Sequence, residues 1–185
     1  MHKVFNDLKA DFRRYFPPGK VNILLLIPVM FHNPGMIFSV CYRVEKYLLL
    51  HRFIVLRGVG WLLYPAYFFI SYYLLSYHIE PWVSISGGLY LHNRDIVITD
   101  NTIIGKNFSC MGQVTIGTDF FNSGVITIGD NVWVGSGAKI IAKKDINISN
   151  AVLIGANSVI IKSIFQPNTS WGGNPARLLK KKLNQ

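Results

Sequence analysis

A six-residue rhythm runs through the second half of this chain. Ile98, Ile104, Cys110, Ile116, Ile128, Val134 and Ile140 share one phase of it, with Asn122 as the gap. Ile79, Ile85 and Leu91 keep the same period one residue out of step, and Ile148, Ile154 and Ile160 two residues out of step. A glycine follows at Gly105, Gly117, Gly129, Gly135 and Gly155. Neither an α-helix, with its period of 3.6, nor an alternating strand produces this spacing. A short period held over residues 79–162 predicts a solenoid, whose units bury their apolar residues only when neighbours stack on them. A generic β-sandwich is disfavoured, because the hairpin turn signals it needs are missing. Cys110 takes an inward position and is expected to be a buried, inert thiol.

Residues 1–78 are written differently. They hold 17 of the 25 aromatic residues and only four of the 16 glycines, which puts a boundary near Ile79. Residues 21–42 and 58–77 carry no charge and are long enough to cross a bilayer. Pro28 interrupts the first stretch. Asn33-Pro34-Gly35 then predicts an N-cap and first turn of a helix running towards Leu50. That helix is amphipathic, with Arg43, Glu45 and Lys46 on one side and Ile37, Val40, Cys41, Val44 and Leu48 on the other. The second stretch has Pro65 in its middle and follows Arg52 and Arg57. It is expected to be an interfacial or oligomer-buried helix, with a true span as the alternative. The first 20 residues lack a secretory signal pattern.

Charge divides the chain in the same way. Of a net charge of +10, residues 1–78 contribute nine basic and three acidic residues, residues 79–171 six of each, and residues 172–185 four basic and no acidic ones. Nucleic-acid binders carry their basic surface on the folded recognition element. Here the repeat region is neutral in sum, which favours an anionic membrane surface or a small anionic ligand over DNA or RNA. Two cysteines exclude a disulfide scaffold and fit a reducing compartment. The expected organisation is a helical, membrane-proximal or oligomerisation region (1–78), a solenoid domain (79–171) and a basic tail (172–185). Only His78 and His92 of the five histidines touch the repeats, too few for a three-histidine metal site.

A set of segments carries a resemblance. GGLYLHN (87–93) followed by IVI (96–98), GQVTIG (112–117), TIGDNVWVGSGAKI (127–140), VLIGANSVI (152–160) and GGNPARL (172–178) stand in that order. Together they resemble the hexapeptide-repeat acyltransferases, in the serine acetyltransferase-like branch that includes polysaccharide O-acetyltransferases. The resemblance implies a mainly β fold, a left-handed parallel β-helix of four to five triangular coils, preceded here by an α-helical N-terminal region. It also implies acetyl-CoA as acetyl donor, no metal, and a homotrimer or dimer of trimers with sites between subunits.

By the same resemblance His92 is the general base. An alcohol attacking a thioester must lose its proton, and an imidazole, titrating near 6.5, is suited to take it at neutral pH. The family places an orienting aspartate where this chain has His78, so Glu80 and Asp95 are the candidate orienters. The segment between GLYL and IVI is four residues here and often five in relatives. Coenzyme A is expected at Gly117, Ser136 and Ala156, with Arg177, Lys180, Lys181 and Lys182 near its phosphates. Phe120 and Phe121, in a non-repetitive loop at 118–127, and Asn93 are expected to face the acceptor. Relatives with serine as acceptor carry a His-Pro pair in that loop, and Val125-Ile126 stands there instead. The expectation drawn from this is a sugar hydroxyl of a surface polysaccharide or its lipid-linked precursor, handled at the inner face of a bacterial plasma membrane. Serine or another small alcohol, and a non-enzymatic trimeric scaffold, are the rival readings.

Overall fold

The computed structural model of the chain describes residues 2–16, 30, 32–118 and 124–181. Among the described residues three helices of more than one turn come first: α1 (His2–Tyr15), α2 (Pro34–Leu49) and α3 (Ile54–Phe68), the last continuing as a π-helical segment at Phe69–Leu74. Coils follow. The first holds β1 (Tyr77–Ile79), β2 (Ser84–Ile85) and β3 (Tyr90–Leu91); the second β4 (Ile96–Ile98), β5 (Thr102–Ile104) and β6 (Ser109–Cys110). The third holds β7 (Thr115–Thr118), β8 (Ile126–Ile128) and β9 (Trp133–Val134); the fourth β10 (Lys139–Ala142), β11 (Ile146–Ile148) and β12 (Leu153–Ile154). β13 (Val159–Ile160) opens a partial fifth coil, and β14 (Thr169–Gly172) pairs with an antiparallel β15 (Arg177–Lys181).

Each strand pairs with its counterpart one coil away, so three parallel sheets form the faces of a prism: β1-β4-β7-β10-β13, β2-β5-β8-β11, and β3-β6-β9-β12-β14 with β15 at the end. Ile79 pairs with Ile98, Ile98 with Ile116, Ile116 with Ile140 and Ile140 with Ile160, and every residue of the six-residue phase among the described residues is buried. Burial raises the pKa of the Cys110 thiol, in keeping with an inert inward residue. Corners need left-handed backbone. Gly88, Asn107, Asn131 and Ala151 supply it between the second and third sheets, and Asp95, Gln113, Gly137 and Asn157 between the third and first.

The first coil has no earlier coil to pair with, and side chains of the helices take that place. Ser71 donates to Tyr77 O and Tyr67 Oη to Ile79 O (2.6 Å) on β1. Tyr42 and Lys46 donate to Val83 O, and Arg43 to Ile85 O and Ser86 O (2.8 Å), around β2. At β3, Asp11 accepts from the amides of Gly88 (2.7 Å) and Leu89 (2.8 Å), and Tyr15 Oη from the Leu91 amide (3.1 Å). An open sheet edge is thereby satisfied group by group.

This arrangement corrects the expected faces of α2. Met36, Phe38 and Tyr42 are buried, but so are Arg43 and Glu45, while Val44 is exposed. The reason is the pair between Arg43 Nε and Asp11 (3.0 Å), which carries the charge into the cap together with its carbonyl bonds. Burial pulls the Asp11 carboxyl upward, and Arg43 and the two amides oppose that shift. The Asn33 side chain makes no capping bond, although the helix does start there with proline in its first turn.

Candidate active site

His92 follows β3 at the corner where the chain turns from the third sheet to the first, and it is exposed. The amides there stack coil upon coil: His92 N–H donates to Cys110 O (2.9 Å), Met111 to Val134 O (3.0 Å) and Gly135 to Ile154 O (2.8 Å). The next residue of each coil, Asn93, Gly112, Ser136 and Ala156, therefore forms a column along one edge of the prism. Neighbouring strands lie about 4.8 Å apart, so this edge runs roughly 14 Å from the first coil to the fourth. Ser136 Oγ donates to Gly112 O (3.0 Å), which keeps its hydroxyl close to the edge, and Ala156 is exposed. A Cβ on Gly112 would lie 2.7 Å from that of Asn93, so only glycine lets Asn93 lie against the edge.

The side chain that the structure sets against the His92 ring is a tyrosine, not one of the expected acids. Tyr90 Oη lies 3.0 Å from His92 Nδ1, and the two rings are 5.8 Å apart. Tyr90 is itself held by α1: the Tyr15 ring lies 4.8 Å from it, and the Arg14 guanidinium 5.9 Å from its centroid, with Arg14 also bonded to Ser109 Oγ. Glu80 instead accepts from Tyr64 Oη (2.8 Å) and Tyr72 Oη (2.6 Å), joining the helices to the end of β1, and burial together with Glu80 raises the pKa of Tyr64 to about 12. Asp95 is exposed with φ +62°, so its place is explained by the corner, where a short polar residue tolerates left-handed backbone. His78 packs against the Tyr72 ring at 4.5 Å.

The other expected residues divide. Asn93, Ser136 and Ala156 share the edge with His92. Gly117 lies in β7 and meets Thr99, away from that edge. Arg177 pairs with Gly172 beside the edge at its far end, whereas Lys180 pairs with Ser170, farther back across the sheet. Phe120, Phe121 and Lys182, like Pro28, lie outside the described residues. The sequence assigns no site role to Tyr90 or Tyr15, and it offers Arg14 only as a basic residue of the N-terminal region, whereas the structure sets it against Tyr90 and Ser109. The one signal for Tyr90 was its place two residues before His92, on the same side of the strand. Among the described residues no group of three or more His, Cys, Asp or Glu is placed to hold a metal.

With coils, cap and edge in place, the chain has the left-handed β-helix fold of the hexapeptide-repeat acyltransferases. It is similar to the serine acetyltransferase of Buchnera aphidicola, at 36% identity over 115 residues (60% of this chain, 43% of that protein). It is likewise similar to that of Synechococcus elongatus, at 31% over 166 residues (87% of this chain, 63% of that protein). The chain thus spans less than two thirds of these relatives. The structure of Neisseria gonorrhoeae serine acetyltransferase in complex with serine superposes with a TM-score of 0.75 at 23% identity, covering 96% of this chain and 69% of that one. That of Brucella abortus serine acetyltransferase in complex with coenzyme A gives 0.71 at 24%, covering 97% and 67%. No family model matches the chain.

These relatives overturn the polysaccharide acceptor. Similarity to serine acetyltransferases extends over 166 residues, helical cap included, whereas the sugar reading rested on two local departures, His78 and the loop without its histidine. Two substitutions weigh less than a shared cap and coil sequence.

Proposed function

We propose that the chain is an O-acetyltransferase that moves an acetyl group from acetyl-CoA to the hydroxyl of serine. The observation that carries this reading is the exposed His92 on Tyr90, at the head of an edge lined by Asn93, Gly112, Ser136 and Ala156. The likeness to proteins named serine acetyltransferase supports the acceptor. His92 Nδ1–H donates to Tyr90 Oη, which leaves the Nε2 lone pair free. Nε2 takes the serine hydroxyl proton as that oxygen attacks the thioester carbonyl, and returns it to the departing coenzyme A sulfur. Asn93, beside the base, is in reach of the acceptor, and the small side chains of the edge leave room for the pantetheine arm. Arg177 stands at the end where coenzyme phosphates fall. Cys110, whose carbonyl accepts from the His92 amide, has its thiol buried inside the coil, where burial keeps it protonated, so transfer is direct rather than through an acyl-enzyme. The test is mass-spectrometric detection of O-acetylserine from acetyl-CoA and L-serine. Acetylation of sugars with no product from serine would contradict it.

The assembly belongs to the same proposal: a homotrimer or dimer of trimers, with each edge walled by a neighbouring β-helix, lying in the cytoplasm against the membrane. Support for lipid contact comes from α3 and its continuation, a 21-residue apolar helix of Ile54–Leu74 whose Ile54, Val55 and Leu62 are 76%, 74% and 78% exposed, with Arg52 and Arg57 at its start. Flotation with anionic vesicles should carry the protein and be reversed by salt. A larger oligomer that covers this face and ignores vesicles would contradict the lipid contact.

A further inference from the structure

A second cleft, of about 430 Å³, lies between α1, α2 and β2 and shares no lining residue with the His92 edge. Its lining includes Lys3, Arg43, Lys46, His51 and Arg52, and one acid, Asp7. Arg43 already faces carboxylates, Asp11 at 3.0 Å and Asp7 at 3.9 Å. Lys3, Lys46 and Arg52 have no carboxylate within ion-pair distance among the described residues, and Lys46 Nζ, which donates to Val83 O and to Tyr42 Oη (3.2 Å), keeps one N–H for a ligand. Desolvation first, then Arg43 and Lys3, push the Lys46 ammonium down to about 8. His51 Nδ1 accepts from the Phe53 amide (3.1 Å), which leaves Nε2 to carry the ring hydrogen. Ser84 and Ser86 add hydroxyls at the rim that make no side-chain hydrogen bond with described residues. The cleft is thus a concave set of donors with uncompensated positive charge and apolar walls from Val4, Leu50 and Ile85.

We propose that this cleft binds a phosphate monoester, held by Lys3, Lys46 and Arg52 with Ser84 and Ser86. A dianionic group with three terminal acceptor oxygens matches three cations and two hydroxyls, and charge-assisted bonds of this kind are the strong ones. A carboxylate offers fewer acceptors and half the charge. The monoester belongs either to a soluble metabolite or to a lipid headgroup, since the exposed Phe53, Ile54 and Val55 begin next to Arg52. The inference is independent of the acetyl-transfer reading, because none of the cleft residues lies on the His92 edge.

Thermal unfolding of the full chain in inorganic phosphate, against chloride at equal ionic strength, tests it. A saturable rise in Tm is expected with phosphate alone. The Lys3→Gln/Arg52→Gln variant should match the wild type in chloride, since both side chains are exposed. It should bind phosphate about tenfold or more weakly, because two charge-assisted hydrogen-bond donors are replaced by neutral amides. Flotation with vesicles of phosphatidic acid, against phosphatidylglycerol at matched charge, separates the sources. Phosphate saturation without preference for phosphatidic acid assigns a soluble monoester. A preference for phosphatidic acid that the variant loses assigns a headgroup. Absence of both, or equal phosphate binding by wild type and variant, overturns the site.

Discussion

The first coil and the coils above it are held by different means. From the second coil to the fourth, each strand finds its backbone hydrogen bonds in the strand one coil away, and the inward positions stack in columns such as Ile98, Ile116, Ile140. In the first coil the corresponding bonds below the strands come from Asp11, Tyr15, Tyr42, Arg43, Lys46, Tyr67 and Ser71, seven side chains drawn from the helical cap. Regular coils are interchangeable, and a side-chain edge is not. His92, the proposed base, sits on the irregular coil, where Tyr90 packs against Tyr15 and Arg14 of α1. A repeat specifies a scaffold, and the end closed by the helices is where individual side chains acquire individual tasks.

Breaking that edge gives the largest expected effect. Arg43→Met leaves Asp11 charged and buried beside the Gly88 and Leu89 amides, and removal of one partner of a buried pair costs about 3–5 kcal/mol. Urea denaturation should show this loss. A loss as small as that from truncating a solvent-exposed lysine of an inner coil, such as Lys139, would mean that the cap does not hold the first coil.

Along the regular edge, Ala156→Trp should leave stability nearly unchanged, because the residue is exposed, and raise the KM for acetyl-CoA by about tenfold or more, since a bulky ring would occupy the proposed channel. An unchanged KM would move the coenzyme to another edge. Tyr90→Phe sharpens the comparison at the base itself. Loss of one hydrogen bond of about 1–1.5 kcal/mol predicts roughly a tenfold drop in kcat, with the KM for acetyl-CoA held. Nitrogen NMR of His92 should show the Nδ1–H tautomer in the wild type and lose it in the variant. The Nε2–H tautomer in the wild type would show Tyr90 to be the donor and remove it as orienter.

The smallest effect is electrostatic. The Lys46 ammonium, lowered to about 8 against an ordinary value near 10.4, is more protonated in the unfolded chain between those limits. Folding stability should therefore rise with pH from about 8 towards 9.5, before tyrosine ionisation opposes it. The slope should flatten in Lys46→Met, as read by chemical denaturation at several pH values.

The solenoid was legible because its information is periodic. Each apolar residue from Ile79 to Ile160 repeats the same instruction, and the phase slips fall at the corner after Leu91 and at the turn 143–145, where the coil period departs from 18 residues. The cap was not legible. Arg43 is 32 residues from Asp11, and Asp11 is 77 from Gly88, and neither spacing belongs to any period. That is why α2 was assigned the wrong buried face. At the site, the resemblance pointed to His92, Asn93, Ser136 and Ala156, which share one edge, and to Gly117, which lies in β7 against Thr99 away from it. Glu80 misled because its carboxylate neighbours the site in sequence but is drawn down to Tyr64 and Tyr72 by the helices. The acceptor was misread because two local differences were set against a similarity that only whole-chain comparison weighs.

Release of coenzyme A from acetyl-CoA by purified wild-type chain and by His92→Ala, with and without L-serine, tests the central claim most directly. The account predicts saturable, serine-dependent release in the wild type and a loss of about 10²–10⁴ in rate for the variant, with an unchanged circular dichroism spectrum and coenzyme binding. A folded His92→Ala protein that keeps more than roughly a tenth of the wild-type turnover, where a general base should cost far more, would contradict it.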